Sequence, residues 1–308
     1  MLIRRGFEPC PEADPGRAVA IGNFDGVHLG HQAILAALGE RGRESRLATA
    51  VVCFEPQPKE YFARENAPAR LMRLRDKAVL IRAAGVDELR VLRFDKALAG
   101  LTAEEFIERV LVGALRTRQV VIGEGFRFGQ GRGGDVDFLR RMGRARGISV
   151  EAVPPCVAGG VPVSSTRVRE ALAAGRLEVA RSLLGRDYRM SGRVIEGEKL
   201  GRTLGFPTAN MRLGRRVSPV AGVYAVRVSG AGLDRHAAVA SVGTRPTVGG
   251  AEWLLEVHLF DYAGTLYGER LDVDFIAWLR EEIRFDDLAA MTARMHDDAR
   301  RARELLAA

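Results

Sequence analysis

The feature that most constrains the fold is a change of pattern near residue 185. Before it, short apolar segments alternate with amphipathic segments of helical length; after it, short apolar segments follow one another with glycine turns between them. The first pattern predicts an α/β domain with a parallel sheet, because parallel strands need long, usually helical, connections. The second predicts a small antiparallel β-barrel. The sequence therefore predicts two domains, 1–185 and 186–308.

Apolar periodicity places the expected elements. In the first domain we expect strands at 18–22, 47–54, 89–94, 119–123 and 149–153, and helices at 31–38, 71–84, 102–115, 135–145 and 177–184. In the second domain we expect strands at 193–196, 223–229, 236–242, 253–260 and 271–275, and a terminal helix at 288–306. Since parallel sheets bind ligands at the carboxyl ends of their strands, the loops that follow the strands are the places to look for sites.

Composition restricts the class of protein. The longest near-continuous apolar run, 47–54, is much shorter than the roughly 20 residues that span a bilayer. The first residues lack the apolar core of a secretory signal, and the three cysteines are too widely spaced for a disulfide framework or a metal site. We therefore expect a cytoplasmic protein with no membrane partner.

The chain has 47 basic and 39 acidic residues, a formal net charge of +8, which favours anionic ligands. The arginines are scattered, with no basic tail and no interleaving with aromatic residues, so no specific nucleic-acid partner is expected. Small phosphorylated molecules fit this charge equally well.

The loop after the first expected strand carries glycines and two histidines. His28 and His31 flank Gly30, and both imidazoles can donate hydrogen bonds to phosphate oxygens at the start of a helix, where an anion is favoured. The plainer alternative is a helix cap with one satisfied histidine. The expected ligand contacts of this loop are Gly22, Phe24, Asp25, Gly26, His28, Gly30 and His31.

A second candidate phosphate contact lies at 163–169, ahead of another helical pattern. Hydroxyl groups and amides at a helix start can hold outer phosphates, and Arg169 can neutralise departing pyrophosphate. Taken alone, the segment is also an ordinary Ser/Thr helix cap. The candidate residues are Ser164, Ser165, Thr166 and Arg169.

Three aromatic residues, one at the end of an expected strand and two in the loop after another, are candidates to stack on a flat ring. They are Phe54, Phe126 and Phe128, each of which can equally fill core.

The second domain opens with a glycine-rich polar segment at 201–210. Thr208 and Asn210 alternate, so in an extended chain their oxygens point the same way and suit Mg²⁺, which prefers hard oxygen ligands. A polar turn between barrel strands is the structural alternative. The other expected ligand contacts in this segment are Gly201, Thr203, Gly205 and Pro207.

Within the expected strand 253–260, Trp253, Leu255, Val257 and Leu259 share one face, and Glu256 lies on the other. An outward glutamate is usually solvated, but an alcohol attacking phosphorus needs an oriented base.

These strings together resemble the prokaryotic bifunctional riboflavin kinase/FAD synthetase family from about residue 16 to 305. The resemblance rests on the HxGH pattern at 28–31, an ISSTxxR-like pattern at 163–169, the GFPTAN string at 205–210 and shorter strings at 54–59, 68–72, 123–129 and 255–261. It implies a Rossmann-like nucleotidyltransferase domain that adenylates FMN to FAD with ATP, releasing pyrophosphate. It also implies a barrel that phosphorylates riboflavin to FMN with ATP and Mg²⁺.

The resemblance further implies roles for individual residues. His28, His31 and Arg169 would serve adenylation, Thr208 and Asn210 would hold magnesium, and Glu256 would be the base of the kinase. The string at 279–285 is similar to the flavin-side segment of the kinases, and this similarity implies that Arg280 contacts flavin. A charged linker into the last helix is an almost equally good interpretation of the segment. One departure stands out: the family usually has Asn or Asp where this chain has Gly125.

Two other functions stay open at this stage. One is a nucleotidyltransferase for another phosphorylated acceptor, with a barrel that only binds ligand. The other is a flavin- or nucleotide-binding regulator with impaired catalysis, whose RNA affinity would weaken steeply with salt. Channelling between the two sites and weak homo-oligomerisation are also undecided by the sequence.

Overall fold

The computed structural model describes residues 1–11, 15–197, 201, 204–214, 217–247 and 250–307. These residues form two compact units: residues 1–68 with 73–164, and residues 69–72 with 165–308. The break between the units precedes the change of pattern near 185, so helices that the sequence places in the first domain are grouped with the barrel. The functional boundary at 185 stays a prediction.

The first unit is built on a six-stranded parallel sheet in the order β1-β4-β3-β2-β5-β6, as the alternating pattern predicts. The chain runs from β2 to β3 on one side and returns to β5 on the other side of β2. The loops that follow β2 and β5 therefore diverge at a topological switch point, where open α/β sheets bind ligands. The strands are β1 Leu2–Arg5, β2 Arg17–Ile21, β3 Ala48–Glu55, β4 Glu88–Arg93, β5 Thr117–Gly123 and β6 Ser149–Val153.

Strand β1 was not predicted. It pairs only with β4 at the edge of the sheet, and its Leu2 and Ile3 are 60% and 56% exposed, so no buried face marks it in the sequence. By contrast, every residue of β2 is buried, as is usual for a central parallel strand.

The helices of the first unit connect these strands. The predicted helix at 102–115 is present, begins with the Thr102–Glu105 capping box and continues as a wider π-helical segment. The helices are α1 Leu29–Ser45, α2 Pro58–Ala63, α3 Leu74–Ala83, α4 Lys96–Ala99, α5 Ala103–Phe106 with its π-helical continuation Ile107–Ala114, and α6 Val136–Arg144. A two-stranded ribbon, β7 Val157–Ala158 and β8 Val161–Pro162, follows β6.

The second unit contains a closed six-stranded antiparallel barrel in the order β10-β13-β12-β11-β14-β9, which confirms the predicted architecture. Leu255, Val257 and Leu259 are buried, whereas Trp253 is half-buried. Strand β10 was not predicted as a strand, because it is short and emerges from a polar turn. The strands are β9 Tyr188–Ile195, β10 Ala209–Arg212, β11 Gly222–Gly230, β12 Leu233–Thr247, β13 Gly250–Leu259 and β14 Arg270–Arg280.

In the described part of the second unit, three helices accompany the barrel: α7 Ser165–Ala173, α8 Leu177–Leu184 and the terminal α9 Leu288–Ala307. Ala302 and Leu306 of α9 pack with Val223, Phe260 and Leu279 in one apolar cluster. The predicted terminal helix is present, and its apolar side packs on the barrel.

Candidate active sites

The loop between β2 and α1 places two histidines at the start of a long helix. His28 is the N-cap residue of α1, and its Nδ1 accepts a hydrogen bond from the His31 amide at 3.3 Å. The two imidazole rings are stacked with centroids 3.6 Å apart. A Cβ on Gly30 would lie 3.3 Å from the His28 ring, tighter than most real contacts, so glycine suits this position. The predicted juxtaposition of His28, Gly30 and His31 is present.

The protonation state of this pair suits an anion that accepts hydrogen bonds. Burial, His28 and Lys77 together hold the pKa of His31 well below its usual value, so His31 is neutral at pH 7. Because Nδ1 of His28 accepts from the backbone amide of His31, Nε2 is the ring nitrogen that carries a proton.

Two buried polar atoms of this region have no hydrogen-bond partner among the described residues: His31 Nδ1 and Asn23 Oδ1. Unpaired buried polar atoms are uncommon in folded proteins, so these two atoms need an explanation. The rest of the loop is tightly packed: Phe24 has a φ of 48°, is fully buried and lies against His31 with ring centroids 5.0 Å apart. Asp25 and Gly26 are buried, and Gly22 is half-buried.

The aromatic candidates divide between core and loop. Phe54 and Phe128 belong to the core of the first unit, and Phe126 is half-buried beside Phe128 with ring centroids 5.6 Å apart. Gly125, next to Phe126, is exposed, and a Cβ built on it meets nothing within 4 Å. The loop therefore has room for the Asn or Asp that the family usually carries there.

The candidates at 163–169 lie at the start of α7. Ser165 is its first residue and Ser164 precedes it; both are half-buried, and Thr166 is exposed. Nε of Arg169 donates to the Ala69 carbonyl at 2.5 Å, which joins α7 to the segment 69–72. These residues have the helix-start placement that the motif predicts.

The second unit contains a cavity of about 580 Å³ at one side of the barrel. Asn210 of β10 and Ser241 of β12 are the direct cross-strand partners of Glu256 on β13. Cross-strand partners lie on one face with Cβ atoms about 5 Å apart. Three polar side chains thus form a row across three strands, and all three line the cavity.

Thr208, in the GFPTAN segment, places its carbonyl and hydroxyl oxygens beside Asn210 of this row. Nδ2 of Asn210 donates to the Thr208 carbonyl at 3.2 Å and to the Thr208 hydroxyl at 3.4 Å. Its Oδ1 is buried and has no hydrogen-bond partner within the described part of the chain. Gly201 and Thr208 line the same cavity, and Gly205 has a φ of 80°, which favours glycine in the turn before Pro207. Thr203 lies outside the described residues.

Glu256 is held by a basic residue. The guanidinium of Arg245 donates to Glu256 Oε1 in a short ion pair. On the same side, the Ser241 hydroxyl donates to Glu282 at 2.8 Å, and the Glu282 carboxylate lies where a Cβ on Gly243 would be. The cavity therefore contains two carboxylates, each oriented by a hydrogen bond.

Arg280 is half-buried and forms an ion pair with Asp298 of α9. Its Nε and Nη2 donate to Asp298 Oδ2 at 2.9 and 2.7 Å, and its guanidinium lies 5.8 Å from the Phe285 ring centroid. Arg280 and Phe285 line the cavity as the flavin-side expectation requires, but the charge of Arg280 is already compensated by Asp298.

His258 also lines the cavity. Its Nδ1 lies 2.9 Å from the Pro207 carbonyl, and burial lowers its pKa despite that hydrogen bond. His258 is therefore a neutral ring that ties β13 to the GFPTAN turn.

Sequence reasoning missed Ser241, Arg245 and Glu282 as members of the barrel site. Ser241 interrupts an apolar strand at a position that is readable from sequence, but its proximity to Glu256 depends on strand register. Within the described residues there is no group of three or more His, Cys, Asp or Glu side chains that would hold a metal ion, and no helix long and apolar enough to span a membrane.

The geometry defines a protein with two separate candidate sites for phosphate compounds, one at a helix start on a parallel sheet and one on a closed barrel. The FAD synthetase family model matches residues 10–167, and the riboflavin kinase family model matches residues 184–306. The chain belongs to the family of bifunctional riboflavin kinases/FMN adenylyltransferases.

Relatives match this chain over almost its whole length. The chain is 47% identical to the bifunctional riboflavin kinase/FMN adenylyltransferase of Escherichia coli K12 over 305 residues, which covers 99% of this chain and 97% of the relative. It is 47% identical to that of Pseudomonas fluorescens (100% and 98% covered) and 44% identical to that of Haemophilus influenzae (98% and 98%). A crystal structure described as a macrolide-efflux protein from Streptococcus pneumoniae is similar with a TM-score of 0.83 and 29% identity, covering 98% of this chain and 99% of that one.

Proposed function

We propose that the chain phosphorylates riboflavin to FMN with ATP at the barrel site and adenylates FMN to FAD with ATP at the His28/His31 site. Membership of the family, with both family models on one chain, supports the pair of activities. The observation that carries the assignment of sites is the row Asn210–Glu256–Ser241, which places a carboxylate beside oxygen ligands at a cavity.

In the kinase reaction the 5′-hydroxyl of riboflavin attacks the γ-phosphorus of ATP. An alcohol is a poor nucleophile until its proton is accepted by an oriented base. Glu256 lines the cavity, and the guanidinium of Arg245 holds its carboxylate, which supports this role. We assign the role of general base to Glu256 and the orientation of its carboxylate to Arg245.

Asn210 and Thr208 fit a hard cation. The unpaired Oδ1 of Asn210 and the adjacent hydroxyl of Thr208 are neutral oxygens of the kind that Mg²⁺ accepts alongside water and phosphate. When bound, Mg²⁺ would neutralise the phosphate charge of ATP. Asn210→Ala should weaken the activation of riboflavin phosphorylation by magnesium, measured as the metal concentration at half-maximal rate.

In adenylation the acceptor is already ionised. A phosphomonoester has a second pKa near 6, so FMN is largely dianionic at neutral pH and needs no base. Hydrogen bonds and positive charge around the triphosphate suffice; in the first unit His28 and His31 supply ring hydrogen bonds, and the start of α1 supplies partial positive charge. The family resemblance assigns Ser165, Thr166 and Arg169 to the outer phosphates of ATP.

A direct test is incubation of the purified chain with riboflavin, ATP and Mg²⁺, followed by chromatography of the flavins. We expect FMN first and FAD later, with pyrophosphate appearing only with FAD. Formation of neither product would refute the proposal, whereas FMN without FAD would refute its adenylating half.

The three free cysteines are consistent with our further proposal that the protein acts in the cytoplasm.

A further inference from the structure

Glu282 follows β14 in the chain, and its side chain reaches back to strand β12 of the barrel. Its Oε1 accepts a hydrogen bond from the Ser241 hydroxyl at 2.8 Å. Its carboxylate also occupies the position that a Cβ on Gly243 would take. Because Ser241 and Gly243 are two residues apart on one strand, they lie on the same face of β12. One hydroxyl group and the missing side chain of a glycine thus hold this carboxylate at the cavity wall.

The kinase chemistry described above does not use the Glu282 carboxylate. Glu256 is the base, and the oxygens of Asn210 and Thr208 suit the cation. A second carboxylate beside the triphosphate of ATP would repel it. Glu282 therefore suits a part of the substrates that donates hydrogen bonds and carries no negative charge. The hydroxyl groups of the ribityl chain of riboflavin have this property.

The polar row across the barrel gives the direction in which that chain extends. Asn210 on β10 lies on one side of Glu256, and Ser241 on β12 lies on the other. Under the proposed function the phosphate lies on the Asn210 side, and the attacking 5′-oxygen meets Glu256. Attack in line places the carbon chain of the acceptor on the side away from the phosphate, which is the side of β12. Since neighbouring strands lie about 4.8 Å apart, the next ribityl hydroxyls fall beside Ser241 and Glu282.

We propose that Glu282 is a specificity-determining residue of the kinase site, whose carboxylate accepts hydrogen bonds from ribityl hydroxyls other than the 5′-hydroxyl. This inference rests on the proposed function. A carboxylate forms strong hydrogen bonds with hydroxyl donors, and Ser241 fixes one of its oxygens. Ile283 and Phe285 line the same cavity and offer apolar surface to the flavin ring. The site thereby selects a flavin with a polyol chain over a flavin with a plain alkyl alcohol.

The test compares riboflavin with an analogue in which a hydroxypentyl chain replaces ribityl, so that only the terminal hydroxyl remains. Two constants are measured: KM for riboflavin in FMN formation, and the inhibition constant of the analogue against that reaction, which is defined whether or not the analogue is phosphorylated. Glu282→Ala should raise KM for riboflavin about tenfold or more, the effect of losing a hydrogen bond to a charged group. The kcat should change less, because the contact is made equally before and during the reaction. The inhibition constant of the analogue should stay at the wild-type value.

Gly243→Ala makes the same test while keeping the carboxylate. Gly243 lies within β12 without a positive φ, so alanine is compatible with the backbone, but its Cβ displaces the end of the Glu282 side chain. This variant should also raise KM for riboflavin and leave the inhibition constant of the analogue unchanged. The matched control is Glu281→Ala, which removes the exposed carboxylate next in sequence and should behave as wild type. An unchanged inhibition constant shows in each variant that the barrel is folded.

A wild-type KM for riboflavin in Glu282→Ala or in Gly243→Ala would overturn the proposal. An equal loss of affinity for riboflavin and for the analogue would also overturn it, since the role of Glu282 would then not involve the ribityl hydroxyls. If the wild type forms no FMN, the proposed function fails. Fluorescence titrations of both flavins with the same variants then still decide whether Glu282 recognises the polyol chain.

Discussion

The two candidate sites differ in the charge of the groups they present. In the first unit, the stacked imidazoles of His28 and His31, the second of them neutral at pH 7, lie at the start of α1. In the barrel, the carboxylates Glu256 and Glu282 face the cavity, each oriented by a hydrogen bond. The difference follows the chemistry of the two acceptors, since a phosphate dianion needs charge compensation and an alcohol needs a base. One chain can therefore use ATP twice with opposite electrostatic arrangements.

The largest effect should come from removing the base of the barrel. Glu256→Gln preserves the shape of the side chain but cannot accept the hydroxyl proton, so riboflavin phosphorylation should fall about 10²- to 10⁴-fold. FMN adenylation should be unchanged. Separate rate measurements with riboflavin and with FMN check this.

The matched control is Glu252→Gln on the same strand, where Glu252 forms an ion pair with Arg212 at 3.4 Å. It should leave both rates near those of the wild type. Equal losses of both activities in a folded Glu256→Gln protein would contradict the assignment of the two activities to separate sites.

Removing both imidazoles should have the next largest effect and the opposite selectivity. His28→Ala combined with His31→Ala removes ring donors to phosphate and should lower FMN adenylation about 10²- to 10³-fold. Riboflavin phosphorylation should persist and serves as the internal control for folding. A double variant that still forms FAD at the wild-type rate would place adenylation elsewhere.

A smaller gain is expected at Gly125. The position is open, so Gly125→Asn adds the side chain usual in the family without steric conflict. One added hydrogen bond is worth about 1 kcal/mol, which corresponds to an increase of about fivefold in kcat/KM for FMN adenylation. Gly125→Ala is the control, because it adds a Cβ without a polar group and should show no gain.

The smallest effect is the pH dependence of adenylation. Because the pKa of His31 is held well below its usual value, His31 stays neutral as the pH falls through 6.5. The rate should therefore fall only about twofold between pH 7.5 and 6, as FMN takes up a proton with its second pKa near 6. A steeper fall with a midpoint near 6.5 would show that His31 titrates normally.

The same histidine makes a prediction for stability. In the unfolded chain His31 has an ordinary pKa near 6.5 and binds a proton that the folded protein excludes. The free energy of unfolding should thus decrease as the pH falls below about 6.5. His31→Asn should reduce that decrease, as denaturant titrations at pH 7.5 and 5.5 would show.

The sequence predicted the architecture well where burial leaves a pattern, and less well where it does not. The buried strand β2 was recognised, whereas the exposed edge strand β1 and the short strand β10 were not. Asn210 and Glu256 were each predicted on chemical grounds. Their adjacency depends on strand register in the closed barrel, and the sequence pattern does not predict that register. Lys77 falls inside a predicted helix, and only the tertiary structure reveals that it is buried.

Closure of the barrel has a consequence for how this enzyme can change. In a closed barrel every strand pairs with two neighbours, so a register shift of one residue turns its inward side chains outward. The deletion of a single residue from β13 would therefore move Glu256 into the apolar interior. Divergence of substrate preference in the kinase half is thereby confined to replacements at fixed positions and to the loops at the barrel rim, whose lengths are free to vary.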